Sequence, residues 1–509
     1  MLNLIKNLKL LDKNQKELND LKAQKGFYII SDDYKIYKNS LYVQDNILFF
    51  IAKIKQKKLL YLTSKNPFNS DFEGDYQELG GIFIQIVDIN YNNSKVLQNY
   101  FPFTSPISLR EKKTTFGCGD RLGLATPGHI RAALEYDVYP VLAQQSIREL
   151  NLTQRNYEQV ISDVVFSVFQ EGFERGFGAD GDHLKNMEDI NLAIEAGIPM
   201  ITLDLSDIIN IDAASWSENI INNKFEKIDK NEKNRIMEKY SNKSFQVREF
   251  NIKISSLEAK RCTLLYQNAL NFAQTVNLHL KKHRNEKYDL EISIDETTTP
   301  TLPSHHIFII KELIHRNISV NSLAPKFIGD FQKGIDYIGE LAEFEKHFKL
   351  HSEIAREYGN YKISVHSGSD KFKVYRIIGK YTNQHFHVKT AGTSWLEALR
   401  CLALCNPNLY RKIHKKALEY YEEALRYYHI TADISKIRNI DEVNDDELPY
   451  YLDKNESRQV LHITYGGVLN DPTIKELFFN TLNKYEDTYN ELISNHISKH
   501  LELLGIKKS

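Results

Sequence analysis

Residues 288–296 read YDLEISIDE, a run in which Leu290, Ile292 and Ile294 alternate with Glu291, Ser293 and Asp295. In a strand this spacing sends the aliphatic side chains to one face and the polar ones to the other. A carboxylate such as Glu291 on the inner face needs a partner or a metal, because an isolated buried charge is costly. A strand of a closed parallel barrel answers both demands, since its aliphatic face meets outer helices while its inner face and C-terminal end converge with those of other strands.

Seven further stretches share the pattern of a short β-rich run ending in Gly, Asp, His or Ser and followed by helical periodicity. They are KTTFGCGD (113–120), YPVLAQQS (139–146), GFGADGDH (176–183), PMITLDLSD (199–207), SLAPKFIGD (322–330), YKISVHSGS (361–369) and HFHVKTAGTS (385–394). Eight such units in series predict an α/β fold of the (β/α)8 TIM-barrel type. Residues 1–110, a helical opening followed by β-like runs at 26–30, 47–54, 58–63 and 80–89, read as a small N-terminal α/β cap. Residues 111–509 then form the barrel domain with its C-terminal helices. Residues 213–287, rich in Lys, Glu and Asn, read as a helical insertion after the fourth strand, and 395–430 and 471–505 as long amphipathic helices that close or buttress the barrel.

The 66 Lys+Arg balance 67 Asp+Glu, so no global charge favours nucleic acid or an anionic membrane as partner. Cys118, Cys262, Cys401 and Cys405 are too scattered for a disulfide framework and read as buried free thiols. The N-terminal sequence mixes apolar and charged residues at helical spacing without the apolar core of a signal peptide, and no run approaches the roughly 20 apolar residues of a membrane span. These features predict a cytoplasmic protein, compatible with a homo-oligomer.

Catalytic groups of such barrels sit at the C-terminal ends of the strands. On the seventh strand the parity that buries Ile363 and Val365 outward turns Lys362, Ser364 and His366 inward. The third strand ends Asp180-Gly181-Asp182-His183, where His183 suits Zn2+, Mn2+ or Ni2+. His183 and His366 with one carboxylate would form a two-His, one-carboxylate site; Asp330, Asp295 and Glu296 are the candidates, and Asp330 is preferred because it ends the neighbouring strand. His385 and His387 lack an adjacent acid and read as structural. Candidate contacts to an anionic substrate are Arg121, Arg148, Lys371 and Lys389, with Gln145 and Ser369 as uncharged donors. Neither FGCGDRLG nor GFGADG matches a nucleotide-binding loop.

The blocks FGCGDRLGLATPGHIRA, AQQSIRE, VFQEGFERGFGADGDH, EISIDETTTPT, FIGDFQKGIDY, YKISVHSGSDKF and FHVKTAGTSWLEA run in order across about 110–470 and resemble the tagaturonate epimerases of hexuronate catabolism. The resemblance implies an isomerase that interconverts D-tagaturonate and D-fructuronate with a divalent cation, Zn2+ first, with Mn2+ or Ni2+ as alternatives. Carried over, it makes His183 and His366 metal ligands, Asp182 a proton donor and Glu291 a proton acceptor. The inverted carbon lies one bond beyond the carbon next to the ketone, so enolisation cannot epimerise it. Retro-aldol cleavage and re-addition, with Glu291 and Asp182 exchanging protons on opposite sides, is the route this chemistry favours. The nearest alternative is a metal-dependent ketohexose epimerase, isomerase or aldolase acting on a related sugar.

Overall fold

Each of the eight stretches contributes one strand of a closed parallel barrel in the computed structural model of the protein, which describes residues 5–6, 9–24, 29–30 and 34–509. The strands are β1 (Thr114–Cys118), β2 (Tyr139–Ser146), β3 (Gly178–Leu184) and β4 (Met200–Asp204). They continue with β5 (Asp289–Ser293), β6 (Ser322–Ala324), β7 (Lys362–Val365) and β8 (Phe386–Thr390). Each pairs with the next, and β8 closes on β1 from Phe386↔Thr114 to Thr390↔Cys118. Leu290 and Ile292 join the core shared with the surrounding helices, while Glu291 and Ser293 are equally buried on the opposite face. The fold is the (β/α)8 barrel that the alternation implies.

β6 is shorter than its sequence suggests. Pro325 has no N–H for the ladder and ends the strand at Ala324. Asp330 therefore stands six residues past the strand, exposed, in a loop where its backbone N–H donates to Ile338 O at 2.8 Å. The insertion after β4 is also less uniform than its composition. Besides the helices Glu218–Phe225, Lys230–Tyr240 and Ser256–Arg284 it contains a hairpin, Lys243–Val247 with Phe250–Ile254. There Phe245, Val247, Phe250, Ile252 and Ile254 repeat at a period of two, not 3.6.

Among the described residues, the first hundred contain the helix Gln15–Ala23 and an antiparallel seven-stranded sheet that includes Ile47–Ile54, Lys57–Ser64 and Ile82–Asp88. Of the run at 26–30, Ile29–Ile30 is a described strand and 26–28 lie outside the described residues. The sheet is apolar on both faces. Leu48, Phe50 and Tyr61 pack with Leu10 and Leu18, whereas Phe49, Ile51 and Leu62 join the barrel's own core. The segment after it runs beneath the barrel floor, where Leu109 N–H donates to Asp289 at 2.7 Å and Leu109 O accepts from Lys362 Nζ at 3.0 Å.

The chain after β8 forms shorter helices than the amphipathic spacing predicts. Pro407 divides Thr393–Cys405 from Pro407–Glu419, and Tyr485 separates Pro472–Lys484 from Glu486–Leu503. Trp395 is fully buried, stacked on Phe478, and donates from Nε1 to Leu461 O at 2.7 Å. All four cysteines are free, three of them buried. Among the described residues no helix is long and apolar enough to cross a membrane.

The last helix, Glu486–Leu503, seats against Thr126–Leu134 at Gly128, where an added Cβ would lie 2.7 Å from Ile493 Cβ and 2.8 Å from Asn490 O. Gly128→Leu is expected to lower unfolding free energy by about 1–3 kcal/mol, read as a lower guanidinium midpoint. A midpoint equal to the parent's would show that the helix docks elsewhere.

Candidate active site

Simple alternation would send Asp182 and His183 to opposite faces. β3 instead breaks register against β4 between Gly181 and Leu184, and His183 adopts a φ of 55°. This bulge brings both side chains to the barrel mouth, with Asp182 Oδ1 2.7 Å from His183 Nδ1. A left-handed backbone at a residue other than glycine costs of order 1–3 kcal/mol, which the surrounding contacts must offset.

His366, immediately after β7, completes the pair. Its Nε2 is 2.7 Å from Glu291 Oε1, and its Nδ1 is 3.1 Å from His183 Nε2 and 3.0 Å from Asp295 Oδ1. Asp295 Oδ1 also lies 3.6 Å from His183 Nε2. Each imidazole thus turns one nitrogen to a carboxylate behind it and the other to a shared point beside Asp295. If the rear nitrogens carry the protons they donate to Asp182 and Glu291, the front nitrogens present lone pairs to one another. Only a proton or a cation between them relieves that arrangement. His183, Asp295 and His366 could hold such a cation, since their ligand atoms lie within 4.8 Å of one another.

Electrostatics point the same way. Burial alone would lower both histidines, but Asp182 and Asp295 raise His183 well above its ordinary value, and Asp295 and Glu291 raise His366. Burial alone would raise the carboxyls, yet His183 and Lys389 hold Asp182, and Lys389 and His366 hold Glu291, well below the carboxylate range. Lys389 stands on the barrel axis, buried, with its Nζ 2.7 Å from Asp180, 2.8 Å from Asp182 and 2.9 Å from Glu291, and bonded to Thr202 Oγ1. Glu291 therefore pairs with Lys389. Lys362, the other inward lysine, serves the floor.

The structure sorts the remaining sequence candidates. Asp330 does not join the histidines; Asp295 occupies the place expected for it, and Glu296 is exposed beside Lys185 at 3.8 Å. Gln145 faces the outer helices rather than the axis, because its register partner Gly181 does so, and both of its amide atoms are buried without a hydrogen-bond partner. Its neighbour Gln144 takes the inward position, against Gly117. Asp182, Arg121, Arg148, Ser369, Lys371 and Lys389 all line a cleft that opens at the mouth; Glu291 lies beneath it.

Three lining residues, Lys333, Tyr428 and His462, were not apparent from the sequence. Lys333 lies in the loop that follows β6, within the block FIGDFQKGIDY, where its invisibility comes from distance to any strand end. Tyr428 and His462 come from the helical segment past β8. No strand alternation marks them, although the His462 ring fills the space that a Cβ on Gly392 would need.

A (β/α)8 barrel with a polar cleft and a His-His-Asp donor set at its C-terminal mouth defines the molecule as a barrel enzyme. The sequence model of the tagaturonate epimerase family, UxaE, matches residues 37–504, and the chain belongs to that family of isomerases. It is 40% identical over 472 residues to the tagaturonate/fructuronate epimerase of Thermotoga maritima, covering 92% of this chain and 97% of that protein. The native crystal structure of the fructuronate-tagaturonate epimerase of Cohnella laeviribosi is 42% identical, with a TM-score of 0.89 over 94% of this chain and 97% of that one. A glycerol complex of the same protein matches with a TM-score of 0.89 and 42% identity over 93% and 97% of the two chains.

His387, one step below Lys389 on the axis, is buried; its Nδ1 is 3.0 Å from Thr115 Oγ1 and its Nε2 has no partner. Burial lowers it to about 3, against about 6.5 in an unfolded chain. Between those values the unfolded chain binds a proton here that the folded chain does not, so stability falls as pH drops through that window. In His387→Asn the slope of unfolding free energy against pH, measured between about pH 4 and 6, is expected to decrease by about 1.4 kcal/mol per pH unit. An unchanged slope would mean that His387 is charged in the folded protein.

Proposed function

We propose that the protein interconverts D-tagaturonate and D-fructuronate in the cytoplasm by metal-dependent retro-aldol cleavage and re-addition. The observation that carries the metal is the facing pair of imidazole nitrogens beside Asp295, each backed by a carboxylate. His183, His366 and Asp295 would hold the cation, and such a nitrogen–oxygen set suits Zn2+, Mn2+ or Ni2+. Bound there, a divalent cation supplies Lewis-acid stabilisation of negative charge on the ketone side of the sugar.

The chain's own groups account for the rest. Asp182, expected from the resemblance as the proton donor, lines the cleft where Glu291 does not, so in this reading it takes the acceptor role for the hydroxyl proton at the inverting carbon. As that proton leaves, the hydroxyl carbon becomes an aldehyde and its bond to the carbon beside the ketone breaks. The electron pair passes to the ketone fragment. After the aldehyde presents its other face, the same bond re-forms and the proton returns to the oxygen. Glu291 does not line the cleft; it orients His366 and shares Lys389 with Asp182, which makes it a positioning residue in this reading. The walls of the cleft retain the fragments between the two steps.

A D-tagaturonate assay with metal analysis tests this reading. The purified protein is expected to carry about one divalent cation per chain, to lose activity on chelation and to recover it on add-back. Asp295→Asn should lose metal and activity together, whereas Asp330→Asn should keep both. Glu291→Gln should lower metal affinity or turnover by roughly 10- to 100-fold, the usual effect of removing the partner behind a ligating histidine. Full activity after chelation would overturn the metal, and accumulation of three-carbon fragments equal to product would overturn retention in the cleft.

A further inference from the structure

The cleft wall carries five cations, Arg121, Arg148, Lys333, Lys371 and Lys389. Two of them, Lys389 and Lys371, have every N–H engaged, and Arg121 is ion-paired. Lys389 is shared by Asp180, Asp182 and Glu291. Lys371 Nζ donates to the carbonyls of Gln332, Ile335 and Ser369 at 2.9, 2.6 and 2.9 Å. Arg121 donates to Glu149 at 2.8 Å and to His462 O at 3.2 Å, with its guanidinium 3.9 Å above the Tyr465 ring. The other two keep unused donors. Lys333 Nζ donates to Ser367 Oγ at 2.8 Å, leaving two of its three N–H groups. Arg148 makes one long bond, to Tyr427 O at 3.4 Å, lies 4.9 Å over the Tyr428 ring, and buries an Nε that has no partner.

Among the described residues neither Lys333 nor Arg148 is ion-paired. Both line the passage where the cleft meets an outer recess, together with Asp295 and Glu296. Two cations with free donors on one stretch of wall, neither of them ion-paired to the carboxylates there, form a receptor for a planar anion, for which guanidinium and ammonium are suited donors. Ser367, which receives Lys333, directly follows the ligand His366, so this receptor adjoins the donor set for the cation.

We propose that Lys333 and Arg148 form the subsite for the substrate's carboxylate, and that Lys333 is the residue that separates sugar acids from neutral ketohexoses. The inference rests on the proposed reaction for its substrate class. Cleavage beyond the carbon next to the ketone leaves the carboxylate on the aldehyde fragment. Gripped by that group, the fragment turns its aldehyde over without leaving the cleft.

The test compares binding of D-gluconate with binding of the uncharged polyol D-sorbitol to the metal-loaded protein by calorimetry. For Lys333→Met, gluconate affinity is expected to fall roughly 10- to 100-fold, as loss of a charge-assisted hydrogen bond predicts, with sorbitol affinity unchanged. Lys333→Arg should restore much of the gluconate affinity, and matched thermal midpoints show that the variants are folded. Equal loss for both probes, no loss for either, or a parent protein that does not prefer gluconate would overturn the subsite. A parent that prefers gluconate but does not interconvert D-tagaturonate and D-fructuronate would overturn the proposed reaction and leave the anion subsite standing.

Discussion

One buried ammonium group governs the interior of the barrel. Lys389 sits among Asp180, Asp182 and Glu291, all within 3 Å, where water cannot compensate charge. A single positive charge does not balance three carboxylates, and Asp295 adds a fourth nearby. A buried ion cluster tolerates such an excess poorly. Burial, with Asp182 and Glu291 opposing the pull of Lys389, raises Asp180 to about 6. The raised values of His183 and His366 express the same deficit of positive charge at the mouth. The region around the two histidines is therefore electrostatically prepared for a cation before any ligand geometry is considered.

The same charge balance explains why so much chain beyond the barrel belongs to the site. The loop after β7 must hold His366 at Glu291 while Ser367 and Asp370 adopt left-handed φ values of 48° and 61°. Asp370 fixes that loop through His496 and Arg458, each at 2.6 Å, and Arg458 Nε donates to Gly334 O at 2.7 Å in the loop that bears Lys333. His500 Nε2 accepts from the Asp370 N–H at 3.1 Å. Helices far along the sequence thus clamp the two loops that carry His366 and Lys333.

What could be read from the sequence follows strand parity closely. Glu291 and Lys389 lie on inward positions of regular strands, where a period of two is faithful, His366 continues that parity one residue past β7, and the structure finds the three converging. Parity fails where the backbone departs from regularity. The bulge in β3 brings adjacent Asp182 and His183 together, and Pro325 ends β6 before Asp330 can reach the mouth. Gln145 shows the reverse error, because a polar residue near a strand end still faces outward when its register says so. His462 was illegible in principle: only the fold of the C-terminal helices brings it against Gly392.

The cleft that results is polarised. Asp182 and His183 line the cleft alone, whereas Arg148 and Lys333 also line the outer recess, with Asp295, Glu296 and His366 common to both. A neutral sugar would use the cleft and leave two cations at the recess without a counter-ion in a partly desolvated wall, which is an unfavourable state that a carboxylate removes. A sugar acid whose carboxylate is remote from its ketone spans both in one orientation only. Reversing it would set the carboxylate against Asp182. On the reading proposed above, the field of the cleft orients the substrate before any hydroxyl contact is made.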